Sequence, residues 1–178
     1  RTTIKTFDNQ KTQIDLRKFP FLPHNSLQSV MSLIANDNQP KCEVIFSRSA
    51  YGADKPHMSE RKDEKHKHPC VHSTGINGVR IMYSSIRGRF FDVPKVIFGD
   101  NGGDTGIQNA VVDVDGEYGL TQHAIGIPIE SKAEGNRMKS ALESAGFKEV
   151  VNACQYGGFQ IDWRMFQYFR KDFWKDFI

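Results

Sequence analysis

Cysteine is scarce in this chain: Cys42, Cys70 and Cys154 are its 3, and they lie far apart. An odd, scattered set excludes a secreted disulfide scaffold and fits a reducing compartment, so a cytoplasmic location in a bacterium or a phage- or virus-infected host is expected. No apolar run approaches the roughly 20 residues that span a bilayer, and no signal-peptide h-region opens the sequence, so no membrane partner is expected. The glycines between Gly99 and Gly106 are not followed by Gly-Lys-Ser/Thr, which excludes a P-loop. No dinucleotide fingerprint and no Asp-Pro-Pro-Tyr class motif of amino-methylating enzymes is present. Internal repeats and low-complexity tracts are absent too.

What is present suffices for a folded domain. Of 178 residues, 38% are hydrophobic and 25% charged, enough for a core without covalent staples. A single domain over 1–178 is expected. Because the sequence opens at Arg1, it is read as a piece of a longer protein. The net charge of +3 permits nucleic-acid binding without requiring it, so the distribution of cations must decide.

Periodicity predicts a helix over about 26–36, with Asn25 and Gln28 as a capping box, and a strand over Cys42–Phe46. The segment 52–68 is almost devoid of large apolar residues and reads as a mobile charged loop. Strands are expected at 71–72, 79–84, 93–98, 109–114 and 123–129, with Asn77-Gly78 favouring a tight hairpin. Ser131 and Glu134 cap a helix that Gly146 would stop, and Val150–Ala153 reads as a further strand. The tail from Asp162 carries Trp163, Phe166, Phe169, Phe173 and Phe177 three or four residues apart. It is expected to form a helix or a pair of turns with these rings in the core. Strands outnumber helices and do not alternate with them, which predicts an α+β fold with a mixed, mostly antiparallel sheet and a few short helices.

The middle third interleaves cations with polar aromatics: Arg48, Tyr51, Lys55, Arg80, Tyr83, Ser84, Ser85, Arg87, Arg89 and Lys95. Such groups neutralise phosphates and fix register on a duplex, although an ordinary solvated sheet face has a similar composition. Lys95 is expected to project toward the DNA side. Tyr118, Thr121, Gln122 and His123 follow a glycine-containing turn from which polar side chains reach a groove; Gln122 suits bidentate recognition of adenine, while Tyr118 and His123 serve equally as turn hydrogen-bonders. In His66-Lys67-His68-Pro69-Cys70-Val71-His72 the alternate residues share one face if extended, a weak zinc signal, since one strand cannot surround a tetrahedral ion. Asp113 or Asp115 upstream of Glu130-Ser131-Lys132 is the acid-x-Lys pattern of metal-dependent nucleases, yet the triplet also occurs at Glu60–Lys62 and Asp63–Lys65. These patterns leave three readings open: a DNA-binding module, a restriction endonuclease using Asp115, Glu130 and Lys132, and a protein-interaction domain.

Taken in order, Phe19-Pro20-Phe21-Leu22-Pro23, Arg48-Ser49-Ala50-Tyr51, Pro69-Cys70-Val71-His72-Ser73, Tyr83-Ser84-Ser85, Phe90–Phe98 and Gly116-Glu117-Tyr118-Gly119-Leu120-Thr121 form a familiar series. With Asn136–Phe147, they resemble the C-terminal specificity region of TaqI-like, gamma-class restriction-modification adenine methyltransferases. The resemblance spans roughly 19–177 and rests on order. It implies a target-recognition domain for double-stranded DNA. Its partners would be an N-terminal domain that uses S-adenosylmethionine to methylate adenine N6 and, in some systems, a restriction nuclease.

Overall fold

The computed structural model describes residues 1–17, 22–102, 104–155 and 160–178. Phe19, Pro20 and Phe21 of the resemblance lie outside them. The fold is α+β, as expected. Strands β1 (Thr2–Lys5) and β2 (Lys11–Ile14) form an N-terminal hairpin, followed by α1 (Leu27–Leu33). Strands β3 (Met58–Ser59), β4 (His68–Gly75), β5 (Gly78–Ser84) and β8 (Gly119–Leu120) make a four-stranded sheet in the order β3-β5-β4-β8. A three-stranded sheet runs β7-β6-β9, from β6 (Lys95–Gly99), β7 (Val111–Asp113) and β9 (Ala124–Pro128). Pairing is antiparallel except between β4 and β8. Helices α2 (Lys132–Leu142) and α3 (Ala145–Ala153) precede two 3-10 segments, Trp163–Tyr168 and Phe173–Phe177. No helix among the described residues is long and apolar enough to cross a membrane.

Strand β6 is the hinge of the packing because both of its faces are buried. Side chains alternate across a strand, and here Val96 and Phe98 enter the large core while Ile97 enters a small cluster with Val71, Leu120 and Ala124. The large core is closed by Met138, Leu142, Phe147, Phe166, Phe169 and Phe173. A separate cluster under the four-stranded sheet holds Tyr51, Met58, Cys70, Met82 and Phe91. The two sheets touch where the Gly99 N–H donates to Thr74 Oγ1 at 2.8 Å; a Cβ on Gly99 would lie 2.7 Å from the Thr74 nitrogen, so only glycine allows the approach.

Several local expectations change. Val150–Ala153 is the end of α3, and Gly146 lies inside that helix rather than stopping α2. Ser144 explains both, since its hydroxyl accepts from the Phe147 N–H at 3.1 Å and starts a new helix, placing Phe147, Val150 and Val151 on the core. The Asn25 capping box does not form. The cap of α1 is Ser26, without a side-chain bond, and the hairpin supplies the acceptors: Asp8 for the Ser26 N–H and Gln10 for the Gln28 N–H. Cys42–Phe46 is no ladder strand; Lys41 and Ile45 make isolated bridges to Arg170 and Gly126. The charged segment 52–68 is tied at its middle by β3 on β5, where Met58 enters the second cluster. By contrast, Ser131 caps α2 through the Glu134 N–H as expected, and Phe166, Phe169 and Phe173 are core residues. The tail takes the form of paired turns.

Candidate nucleic-acid interface

The loop that joins β5 to β6 carries Arg87 and Arg89 of the expected contact set. Phe91 N–H donates to Gly88 O and Asp92 N–H to Gly116 O at 2.8 Å. Phe90 and Asp92 both have positive φ, 77° and 61°, a costly conformation for side-chain-bearing residues that only surrounding contacts sustain. Gly116, at φ 67°, supplies that contact: a Cβ there would meet Asp92 Cα at 2.6 Å. Phe91 is buried against Tyr51, so the loop is pinned by a ring in the core. Outside, the Arg87 guanidinium lies 4.9 Å from the Phe91 ring centroid and pairs with Asp92, and Arg89 lies 5.2 Å from that of Phe90. Stacked guanidinium groups lose less rotamer freedom on binding than free ones.

The expected contact residues do not form one face. Arg48, Arg80, Arg87 and Arg89 are exposed, and Arg80 is paired with Glu60. Lys55, Tyr83, Ser85, Tyr118, Gln122 and His123 are half-buried. Tyr51, Ser84, Lys95 and Thr121 are corrected, because each is buried. Tyr51 packs edge-on to Phe91, and burial raises its phenol above the ordinary range. Ser84 accepts the Ile86 N–H. Thr121 Oγ1 lies 3.0 Å from His72 Nδ1. Lys95 sits directly across from Asp113 in the β6–β7 ladder, and its ammonium donates to Asp113 Oδ2 at 2.7 Å and to Val93 O at 2.9 Å. On a strand with two buried faces a cation must be paired internally, and burial still holds Lys95 below its ordinary value.

Arg48, Gln122 and His123 belong to a different feature, a cleft of about 600 Å³ between the β8–β9 turn and the segment that starts the C-terminal turns. Phe46 and Trp163 stack on its wall, 4.9 Å apart and 20° from parallel. Gln122 Oε1 accepts the Ala53 N–H at 2.9 Å, which fixes its carboxamide. His123 Nδ1 lies 3.5 Å from Asp100 Oδ2, and the His72 ring stands 5.2 Å from that of His123. Burial raises the Asp100 carboxyl above its usual range and, with Arg80 and His123 adding to it, lowers His72. Asp100, Arg164 and the wall-forming role of Trp163 escaped sequence reasoning, because helical spacing marks Trp163 as core and says nothing about which rim of the core it occupies.

A pH test follows from His72. Its folded value lies below the ordinary 6.5, so in the window below 6.5 the unfolded chain binds the proton that the native state refuses. The stability carried by neutral His72 is therefore complete above pH 6.5 and falls as the medium is acidified toward the folded value. Melting curves should show His72→Gln flattening this acid limb, and an unchanged limb would remove His72 as its source.

The other two chemical patterns do not assemble. Asp113 is sealed by Lys95 and accepts the Glu117 and Tyr118 N–H groups. Glu130 pairs with Lys171 at 2.7 Å, while Asp115 and Lys132 are exposed. In the histidine stretch, His66 turns onto Asp63, and Cys70 is buried with its thiol pushed up to about 12. The β4–β5 register shifts between Val71 and Ser73, so His72 sits at a bulge and leaves the period-two face expected of it. Among the described residues, no group of three or more His, Cys, Asp or Glu is placed to hold a metal ion. Comparison with protein-family models, with curated proteins and with solved structures gives no match.

Proposed function

We propose that this chain is the target-recognition domain of a restriction-modification type adenine-N6 DNA methyltransferase, binding double-stranded DNA and reading sequence for a separate catalytic domain. The observation that supports it is the pinned β5–β6 loop, which holds Arg87 and Arg89 outward over Phe91 and Phe90. Arg87 and Arg89, two residues apart, each have a guanidinium held over a ring, and a planar, pre-oriented fork suits phosphates and guanine edges better than a flexible lysine would. S-adenosylmethionine would be held by the catalytic domain, and a restriction nuclease is the further partner that such systems employ.

The test is duplex binding by fluorescence anisotropy across a salt series. Each phosphate contact releases counterions, so replacing Arg87 and Arg89 together by Ala should weaken binding and reduce the log–log salt slope by about 2. Absence of duplex binding at low salt, or an unchanged slope in the double variant, would overturn the reading. Selection from a random duplex pool should return a preferred site. An Asn/Asp-Pro-Pro-Tyr/Phe motif in the parent polypeptide would assign the chemistry.

A further inference from the structure

The cleft walled by Trp163 lies apart from the loop-borne cations and has a chemistry of its own. We propose that it binds a single unpaired nucleotide, with the base against Trp163, the base edge at Gln122 and the phosphate at Arg48. Its volume of about 600 Å³ falls in the range of small-molecule sites. Trp163 is backed by Phe46 in a near-parallel stack, a two-ring wall, and aromatic faces accept any base. Gln122 has one lone pair committed to the Ala53 N–H, so its amide is held in place, and its NH₂ and second lone pair remain to meet a donor–acceptor edge such as that of adenine. Of the two arginines in the lining, Arg164 is clamped onto Asp162 through both Nε and a terminal nitrogen. Arg48 is exposed and acts on Asp162 only through the field, which leaves it as the cation for a phosphate. Beneath them, the Asp100–His123 pair keeps the floor of the cleft polar.

A free nucleotide and a nucleotide turned out of a duplex present the same base and phosphate, and the experiment separates the two. The inference does not rest on the Arg87 and Arg89 surface. Trp163 and Trp174 are the 2 tryptophans of the chain, and Trp174 is buried, so quenching of emission by a ligand in the cleft reports Trp163. Titration with adenosine 5′-monophosphate should give saturable quenching that ribose 5-phosphate does not reproduce. Arg48→Ala should weaken it about ten-fold, the loss of one charge-assisted bond. Gln122→Glu, which keeps the acceptor for Ala53 and removes the NH₂ donors, should weaken it by a similar factor while leaving the melting temperature in place. Replacing Arg87 and Arg89 should leave nucleotide binding unchanged. A duplex with one adenine opposite an abasic site should compete about ten-fold better than the intact duplex if the nucleotide comes from DNA, and equal competition assigns a free nucleotide. Lack of saturable quenching up to on the order of 10 mM nucleotide, or wild-type affinity in both cleft variants, overturns the proposal.

Discussion

Asp113→Ala is expected to destabilise the protein by about 3–5 kcal/mol, because it strands the Lys95 ammonium in the interior without its partner. The two residues face each other across the β6–β7 ladder, and neither side chain reaches solvent. Asp113 also accepts the N–H groups of Glu117 at 2.8 Å and Tyr118 at 3.0 Å, so the same carboxylate shapes the turn that leads into β8. Lys95→Met should cost less than Asp113→Ala, since the carboxylate it leaves behind keeps those two backbone donors. Combining Lys95→Met with Asp113→Leu should recover part of the single-variant loss, because an ion pair replaced whole by apolar groups removes the desolvation penalty along with the attraction. Urea midpoints at constant slope measure all three. A loss below about 1 kcal/mol for Asp113→Ala would mean that water reaches the pair.

Phe166→Ala should destabilise to a similar extent, about 3–5 kcal/mol, through the cavity it leaves. Its ring meets Phe98 at 5.3 Å, Phe169 and Phe173 at 5.9 Å and Phe147 at 6.0 Å, joining the three-stranded sheet, α3 and both C-terminal turns through one side chain. Phe166→Leu should retain most of the stability, because it conserves apolar volume at a fully buried position. Phe177→Ala should cost much less than Phe166→Ala. Phe177 is only partly buried and meets Phe147 from the rim of the core. Equal losses at Phe166 and Phe177 would show that depth of burial does not set the contribution of the tail rings.

These two sites differ in how far the sequence discloses them. Ring spacing in the tail is enough to mark Phe166, Phe169 and Phe173 as core, since five large rings at three- and four-residue intervals must bury one face. The Lys95–Asp113 pair is invisible at that level. Eighteen residues separate the partners, and a lysine inside an apolar strand reads equally well as a surface cation. Only the β6–β7 register places the carboxylate opposite. The candidate surface divides in the same way. Arg87 and Arg89 are exposed as their composition suggests, but their orientation depends on Asp92 lying against Gly116 and the Phe91 ring against Gly119, contacts between distant segments. Gln122 is legible as a bidentate side chain, whereas its place in a cleft with Trp163 and Arg48 is not.

The helix start at Ser131, the β4–β5 hairpin and the apolar tail follow from local chemistry alone: a hydroxyl that satisfies an orphan N–H, two strands too close in sequence to do anything but fold back, and rings that leave water. The chain by itself also determined the α+β class, through clustered strands and short helices. Tertiary structure decided which face of each strand is dry, turned His72 out of line at a bulge, and divided the cations between a pinned loop and a cleft. Burial and long-range pairing are properties of the assembled layers, and a charge or an aromatic ring acquires its role only when a neighbour remote in sequence fixes whether it meets water, a partner or a ligand.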